Sequence, residues 1–315
     1  MEIIKEYEDG LKLMEELTNN AQQIQEQVLS QILTTNAGTE YLSRFINGDA
    51  DKQCFKTNVP IVTYEDIKPY IDRIANGTGI SGGLPKLIPV TVETYNQRAV
   101  YYFTLLISLM NKHFGFGDLD KTGKRLHLLF AKTGSETACG LKATTVLTSM
   151  LNQPLFRTAI PKLFTSPIET IFCPDNNQSM FCQLLIGLIH RDEVVSVGST
   201  FATVVLRAIK FLEQNYGELC FNIRTGRISD WVTDPGCRNI VTSIVKPNPK
   251  LADSIENICR CKSWEGILRK LWPKAKLVDA ITTGVMSQYA ETLEFYSGEL
   301  PLVSIFVPRL FVGSI

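Results

Sequence analysis

The stretch best suited to chemistry is Asn-Gly-Thr-Gly-Ile-Ser-Gly-Gly-Leu-Pro-Lys at 76–86. Gly79, Gly82 and Gly83 alternate with the hydroxyls of Thr78 and Ser81, and Lys86 follows. Residues without a Cβ turn sharply and bring backbone N–H groups close to an anion, so this composition suits a phosphate cradle. The nucleotide-hydrolase signature GxxxxGK[ST] is absent, since Pro85 precedes Lys86 and Leu87 follows it. A glycine-rich surface turn with a solvated lysine is the alternative reading. A phosphate loop usually leaves a buried strand. Here Tyr70 to Gly77 is a charged amphipathic segment and makes a poor central strand.

A second stretch, Thr282-Thr283-Gly284, follows the expected strand 276–281. A strand that ends in hydroxyls and glycine can offer backbone atoms to a ligand at the C-terminal edge of a sheet. A routine tight turn is the other reading. His113, His127 and His190 show no HExxH spacing or close pairing, and all three read as structural. Cys259-Arg260-Cys261 is CxC with no second pair at finger spacing, which argues against a metal there. Asp230 and Asp234 flank Trp231 in a turn before Pro235, where a helix cap is the simplest role.

The elements that must hold these residues read as α/β. Residues 2–34 form one or two amphipathic helices, broken at Asn19-Asn20 with an Asx cap opening the second. Glu40 to Phe45 makes a short helix. A helix capped at Thr63 carries Glu65 and Asp66 in its first turn and is closed or kinked by Pro69. Residues 93–112 form a helix and 125–131 a strand. Glu169 to Cys173 reads as a short strand, Asn176 to Ile189 as a helix and Glu193 to Val197 as a strand. Thr200 to Tyr216 is the clearest helix. Residues 218–272 are mainly helical, and strands are expected at 276–281 and 302–307. Short strands alternating with long helices imply a partly parallel sheet flanked by helices.

At 315 residues the chain can bury a sizeable core in one large or two ordinary domains. Its 32 basic and 32 acidic residues cancel, so no long-range field steers it to nucleic acid or a membrane surface. No apolar run is long enough for a membrane span. Eight dispersed cysteines and a charged N-terminus without a secretory pattern point to reduced thiols and a cytoplasmic location.

Longer stretches carry a more specific signal: VPIVTYEDIKPYIDRIANG at 59–77, SGGLPKLIPVT at 81–91, CFNIRTGRISDWVTDPGCR at 220–238, KSWEGILRKLWPKAK at 262–276 and TGVMSQYAETLEFYSGELPLVS at 283–304. Together with residues 172–213, they make the chain resemble the plant auxin-responsive acyl-acid amido synthetases, over nearly its whole length. These are adenylate-forming enzymes, similar in mechanism to acyl-CoA synthetases. The resemblance implies ATP and Mg2+ as cofactors. It also implies activation of a carboxylic acid of the auxin, jasmonate or benzoate type, with indole-3-acetate the expected substrate, release of pyrophosphate, and transfer of the acyl group to an amino acid.

By the same resemblance, Thr78, Gly79, Ser81, Gly82, Gly83 and Lys86 fall on the phosphate loop. Val197, Phe201 and Val204 fall on the wall of the acid pocket, and Thr283 and Gly284 near the adenine and carboxylate side. No catalytic residue and no metal ligand is assigned. The implied architecture is a helical segment at 1–50 packed on an incomplete large adenylation domain at 51–315, with the C-terminal domain absent and the protein monomeric.

The sequence also departs from the family pattern. The family loop reads SSGTSGG after a strand, whereas Gly77 here runs directly into Thr78 and Ile80 replaces a hydroxyl residue. After Ser304 the family continues through a tyrosine-containing segment that packs on adenine, and here Ile305 to Ile315 differs. Small misplacements of reacting groups can cost about a hundredfold in rate. The departures therefore predict weak or no activity for this polypeptide alone. The alternative function is a catalytically inactive family member that serves as an acid-binding or protein-interaction module.

Overall fold

A computed structural model describes residues 7–46, 51–76, 87–91, 105–115 and 123–304. The chain is grouped into two compact units, Met1–Lys112 with Ser135–Ala143, and His113–Gly134 with Thr144–Ile315.

The described part of the first unit is mainly helical. Helices α1 (Tyr7–Asn19) and α2 (Ala21–Asn36) are separated at Asn20, as expected. The expected Asx cap is not formed. The Asn20 side chain turns back and donates to the Glu16 carbonyl at 2.9 Å, so it closes α1 instead of opening α2. Leu33 of α2 meets Leu42 and Ile46 of α3 (Glu40–Ile46), and Phe55 of α4 (Lys52–Asn58) packs beside them. Helix α5 (Tyr64–Asn76) runs through Pro69 without ending there. Pro69 lies in the second turn, near enough the start to displace little of the hydrogen-bond ladder. Asp66 accepts from both the backbone N–H and the hydroxyl of Thr63, at 2.8 and 2.7 Å, and fastens the entry to the helix. The short antiparallel pair β2 (Ser135–Glu136) and β3 (Lys142–Ala143) belongs to this unit too.

The second unit is built on a four-stranded parallel sheet. Strands β1 (Lys124–Leu128), β4 (Val194–Phe201), β5 (Leu277–Ile281) and β6 (Leu302–Val303) lie in that spatial order. Parallel neighbours need crossovers, and helices supply them. Helices α7 (Val146–Leu151), α8 (Pro154–Leu163), α9 (Ile168–Ile171) and α10 (Asn176–Ile189) lie between β1 and β4. Helices α11 (Ala202–Thr225), α12 (Pro235–Ile244), α13 (Pro249–Cys259) and α14 (Ile267–Leu271) lie between β4 and β5, and α15 (Ala290–Ser297) lies before β6. Helix α6 (Ile107–Phe114) precedes β1; the rest of the expected helix 93–112 is outside the described residues up to Phe103 and Thr104.

Leu126, Val197 and Val278 share one sheet face, in register across β1, β4 and β5, and join the core formed with α10 and α11. Helix α10 comes close to the sheet at Gly187, where an added Cβ would lie 2.7 Å from Leu126. Buried Trp272 secures the same place, donating its indole N–H to the Gly187 carbonyl at 2.9 Å. The parallel sheet flanked by helices is the α/β class that the sequence implies.

Two local expectations fail. Residues 168–171 are helical rather than extended: Pro167 precedes the turn and its carbonyl accepts from the Thr170 hydroxyl at 2.7 Å. Strand β4 also runs on through Thr200 and Phe201, and the long helix begins only at Ala202 and continues to Thr225.

Candidate functional site

Because the strands are parallel, their C-terminal ends meet along one edge of the sheet, where α/β folds commonly bind ligands. Phe201, the last residue of β4, is paired with Ile281, the last of β5, after a register shift beyond Gly198. Thr282, Thr283 and Gly284 follow Ile281 directly. The sheet therefore brings Phe201 to the same edge as the Thr282-Thr283-Gly284 turn.

Each residue is presented there for a physical reason. Phe201 is 44% exposed, although it extends from a central buried strand. Gly284 has φ +59, a left-handed conformation that L side chains rarely adopt, and a Cβ there would meet nothing within 4 Å. Backbone geometry, not crowding, calls for glycine at this position. Thr283 is exposed, and its side chain makes no capping bond to the 3-10 turn Gly284–Tyr289. Val285 beside it is 78% exposed. Inside the same edge, the buried Thr200 hydroxyl has no hydrogen-bond partner among the described residues. Ser199 ties the edge together by donating to the Leu128 carbonyl at 2.8 Å.

The other expected acid-pocket residues sit differently. Val197 is 3% exposed and part of the main core, and Val204 is half-buried against that core. Of the three, Phe201 alone is exposed at the edge. Thr78, Gly79, Ser81, Gly82, Gly83 and Lys86 lie outside the described residues. Their flanks are described: Asn76 ends α5, and Leu87 is held at the opposite end of α5, where its N–H donates to the Tyr64 hydroxyl at 3.1 Å.

A buried charged cluster was not anticipated from sequence. On the sheet face opposite Val197, Asp279 of β5 contacts both Arg125 and His127 of β1, with His127 Nδ1 and Asp279 Oδ2 2.8 Å apart. Burial pushes the Asp279 carboxyl up, but His127 and Arg125 outweigh it and hold the group below the usual carboxylate range. Arg125 also donates to the Ser196 hydroxyl at 3.2 Å. The signal in the sequence was an aspartate inside the otherwise apolar Leu-Val-Asp-Ala-Ile strand. The arrangement is a fixed internal ion cluster, and it gives His127 a concrete structural role. His190 caps the end of α10 and contacts Glu193 at 2.9 Å, and Asp234 caps α12, both in line with the sequence reading.

Comparison with known proteins agrees with this architecture. The GH3 family N-terminal domain matches residues 10–81 and 78–302, two stretches that meet inside the glycine-rich loop. The chain is 50% identical to the indole-3-acetic acid-amido synthetase GH3.17 of Arabidopsis thaliana, over 94% of this chain and 52% of that protein. It is 42% identical to the 4-substituted benzoates-glutamate ligase GH3.12 of the same plant, over 93% of this chain and 54% of that one. A solved structure of AtGH3.15 acyl acid amido synthetase in complex with 2,4-DB superposes with a TM-score of 0.85 at 47% identity, covering 95% of this chain and 55% of its own. The chain spans about half the length of the curated relatives it matches. With a family match that extends over most of its residues, the chain belongs to the GH3 family.

Proposed function

We propose that this chain carries the acid-binding and adenylating part of an ATP-dependent acyl-acid amido synthetase, with indole-3-acetate as the acid. The observation that supports it is the sheet edge, where half-exposed Phe201 lies at the same end of the strands as exposed Thr283 and the left-handed Gly284. An aromatic acid needs an apolar surface for its ring and polar groups for its carboxylate, and this edge supplies both. Phe201, with Val204 behind it, would seat the ring. Thr283 and the backbone at Gly284 would orient the carboxylate and the adenylate. The glycine-rich loop from Thr78 to Lys86 would hold the polyphosphate of ATP. Bound Mg2+ would neutralise phosphate charge, and no residue of the chain is assigned to it. Holding acid and ATP in line is the main contribution such a site makes, since there is little covalent chemistry for its side chains to perform.

A second reading, acid binding without adenylation, draws on the two-part family match that meets at residues 78–81. One experiment separates the two: ATP–pyrophosphate exchange by the purified protein, with and without indole-3-acetate, jasmonate or a benzoate. Acid-stimulated exchange supports adenylation. No exchange from folded protein that still binds the acid in calorimetry supports the binding module, and no binding of any acid overturns both.

A further inference from the structure

Away from the sheet edge lies a set of cysteines that the proposed reaction does not use. Cys173 follows α9, Cys182 lies in the middle of α10 and Cys237 lies in the first turn of α12. All three are buried, with exposures of 4%, 0% and 0%. The two sulfurs of Cys173 and Cys237 and a carboxylate oxygen of Asp234 lie within 4.8 Å of one another.

This grouping is held rigidly by contacts that are not themselves ligands. Asp234 Oδ1 accepts from the Cys237 N–H at 2.8 Å and caps α12, which sets the carboxylate beside the thiol three residues on. Gln178 then clamps that turn onto α10. Its amide oxygen accepts from the N–H groups of Thr233 and Asp234, both at 2.8 Å, and its amide nitrogen donates to Asp175 and Thr233. On the other side of Gln178, Asp175 caps α10 and its backbone carbonyl contacts the Cys173 thiol at 3.4 Å.

We propose that Cys173, Cys237 and Asp234 form a three-ligand zinc-type site, its fourth position left to solvent, that ties the chain just after α9 to the start of α12. Two sulfurs with one carboxylate, converging from the segment after α9 and the start of α12, suit a borderline-soft divalent cation and do not suit magnesium or calcium. Burial pushes the Cys173 thiol up to about 12, and the neighbouring Cys182 thiol, with burial, raises Cys237 as well. Each thiol that becomes a metal–sulfur bond releases its proton to solvent. The bound cation then supplies the charge that keeps the thiolates buried. The half-buried Asp234 marks the side from which the cation enters.

The test uses the full chain, fully reduced and stripped of metal, titrated with Co2+ and then with Zn2+. The expected result is one equivalent of Co2+ with sulfur-to-cobalt charge-transfer absorption that Zn2+ abolishes. The band is lost in Cys173→Ser and Cys237→Ser, and retained in Cys54→Ser and Cys259→Ser. Asparagine caps helices as well as aspartate does, so Asp234→Asn keeps α12 intact and should weaken affinity on the order of tenfold or more. No charge-transfer band in the folded wild type overturns the proposal, as does a band that survives Cys173→Ser or Cys237→Ser. If circular dichroism shows that the serine variants are unfolded, Asp234→Asn decides: unchanged affinity overturns the site, and weakened affinity supports it.

Discussion

Asp279 reaches His127 across the full width of a strand, and the residue between them is Gly198. In register, His127 of β1 pairs with Gly198 of β4, and Gly198 with Asp279 of β5. A Cβ on Gly198 would lie 1.9 Å from Asp279 Oδ1 and 2.1 Å from its carbonyl oxygen. The absence of a side chain on the middle strand is what lets the carboxylate span it. Gly198→Ala therefore has to displace backbone or break the charged contact. It should lower stability by about 3 kcal/mol or more, read as a lower denaturation midpoint.

The same cluster predicts a pH dependence. The Asp279 carboxyl is held below its ordinary range in the folded protein. Its stabilising contribution is therefore fully present above the unfolded carboxyl value of about 4, and is lost as pH falls through the lower folded value. Asp279→Ala should cost about 3–5 kcal/mol at neutral pH, because it leaves buried His127 and part-buried Arg125 without the carboxylate they share. The variant should also lose part of the wild type's steepness below about pH 4. Urea denaturation at a series of pH values measures both effects, and parallel curves for the two proteins would contradict the assignment.

What could be read from the sequence follows from the range of the signals. Helices with several turns of apolar repeat, such as Asn176–Ile189, and strands bounded by turn residues, such as Leu277–Ile281, were evident because their pattern is local. Glu169 to Cys173 reads as a strand yet begins within the helical turn Ile168–Ile171, because so few residues reveal no period and the proline that starts the turn lies just before them. Asn20 was read correctly as a break and wrongly as a cap. Which helix an asparagine side chain serves depends on its rotamer, which sequence does not encode. The exposure of Phe201 and the burial of Val197 are set by how far β4 extends before the helix begins, again a tertiary outcome. The contact of Cys173 with Cys237 has no spacing signature, because it depends on α9 and α12 meeting in space.

Two glycines with nearly the same backbone conformation should respond differently to alanine. Gly226, which ends α11, has φ +70, and an added Cβ would lie 2.6 Å from the Pro247 ring. Gly284 has φ +59 and open space around it. Alanine at 284 pays only the left-handed backbone penalty of about 1–2 kcal/mol. Alanine at 226 adds an overpacking cost of about 1–3 kcal/mol. Thermal melts of the two variants should rank Gly226→Ala clearly below Gly284→Ala, and the reverse order would show that Pro247 yields freely.

Phe201 and Val197 allow the acid-pocket reading to be tested without confusing binding with folding. Val197 is 3% exposed within the core, so Val197→Ala should cost about 1–3 kcal/mol and lower the melting temperature whatever its effect on ligands. Phe201 is 44% exposed, and Phe201→Ala should change stability by about 1 kcal/mol or less. If the aromatic ring of the acid rests on Phe201, the same variant should weaken acid binding on the order of tenfold, since an aromatic contact and its buried area are lost together. Calorimetric titration with indole-3-acetate, beside melting curves for both variants, separates the two effects. A Phe201→Ala protein that melts like the wild type and binds the acid equally well would place the acid away from this edge. A selective loss of binding would fix it there and make Thr283→Val, which removes the adjacent hydroxyl while keeping its shape, the next substitution to measure.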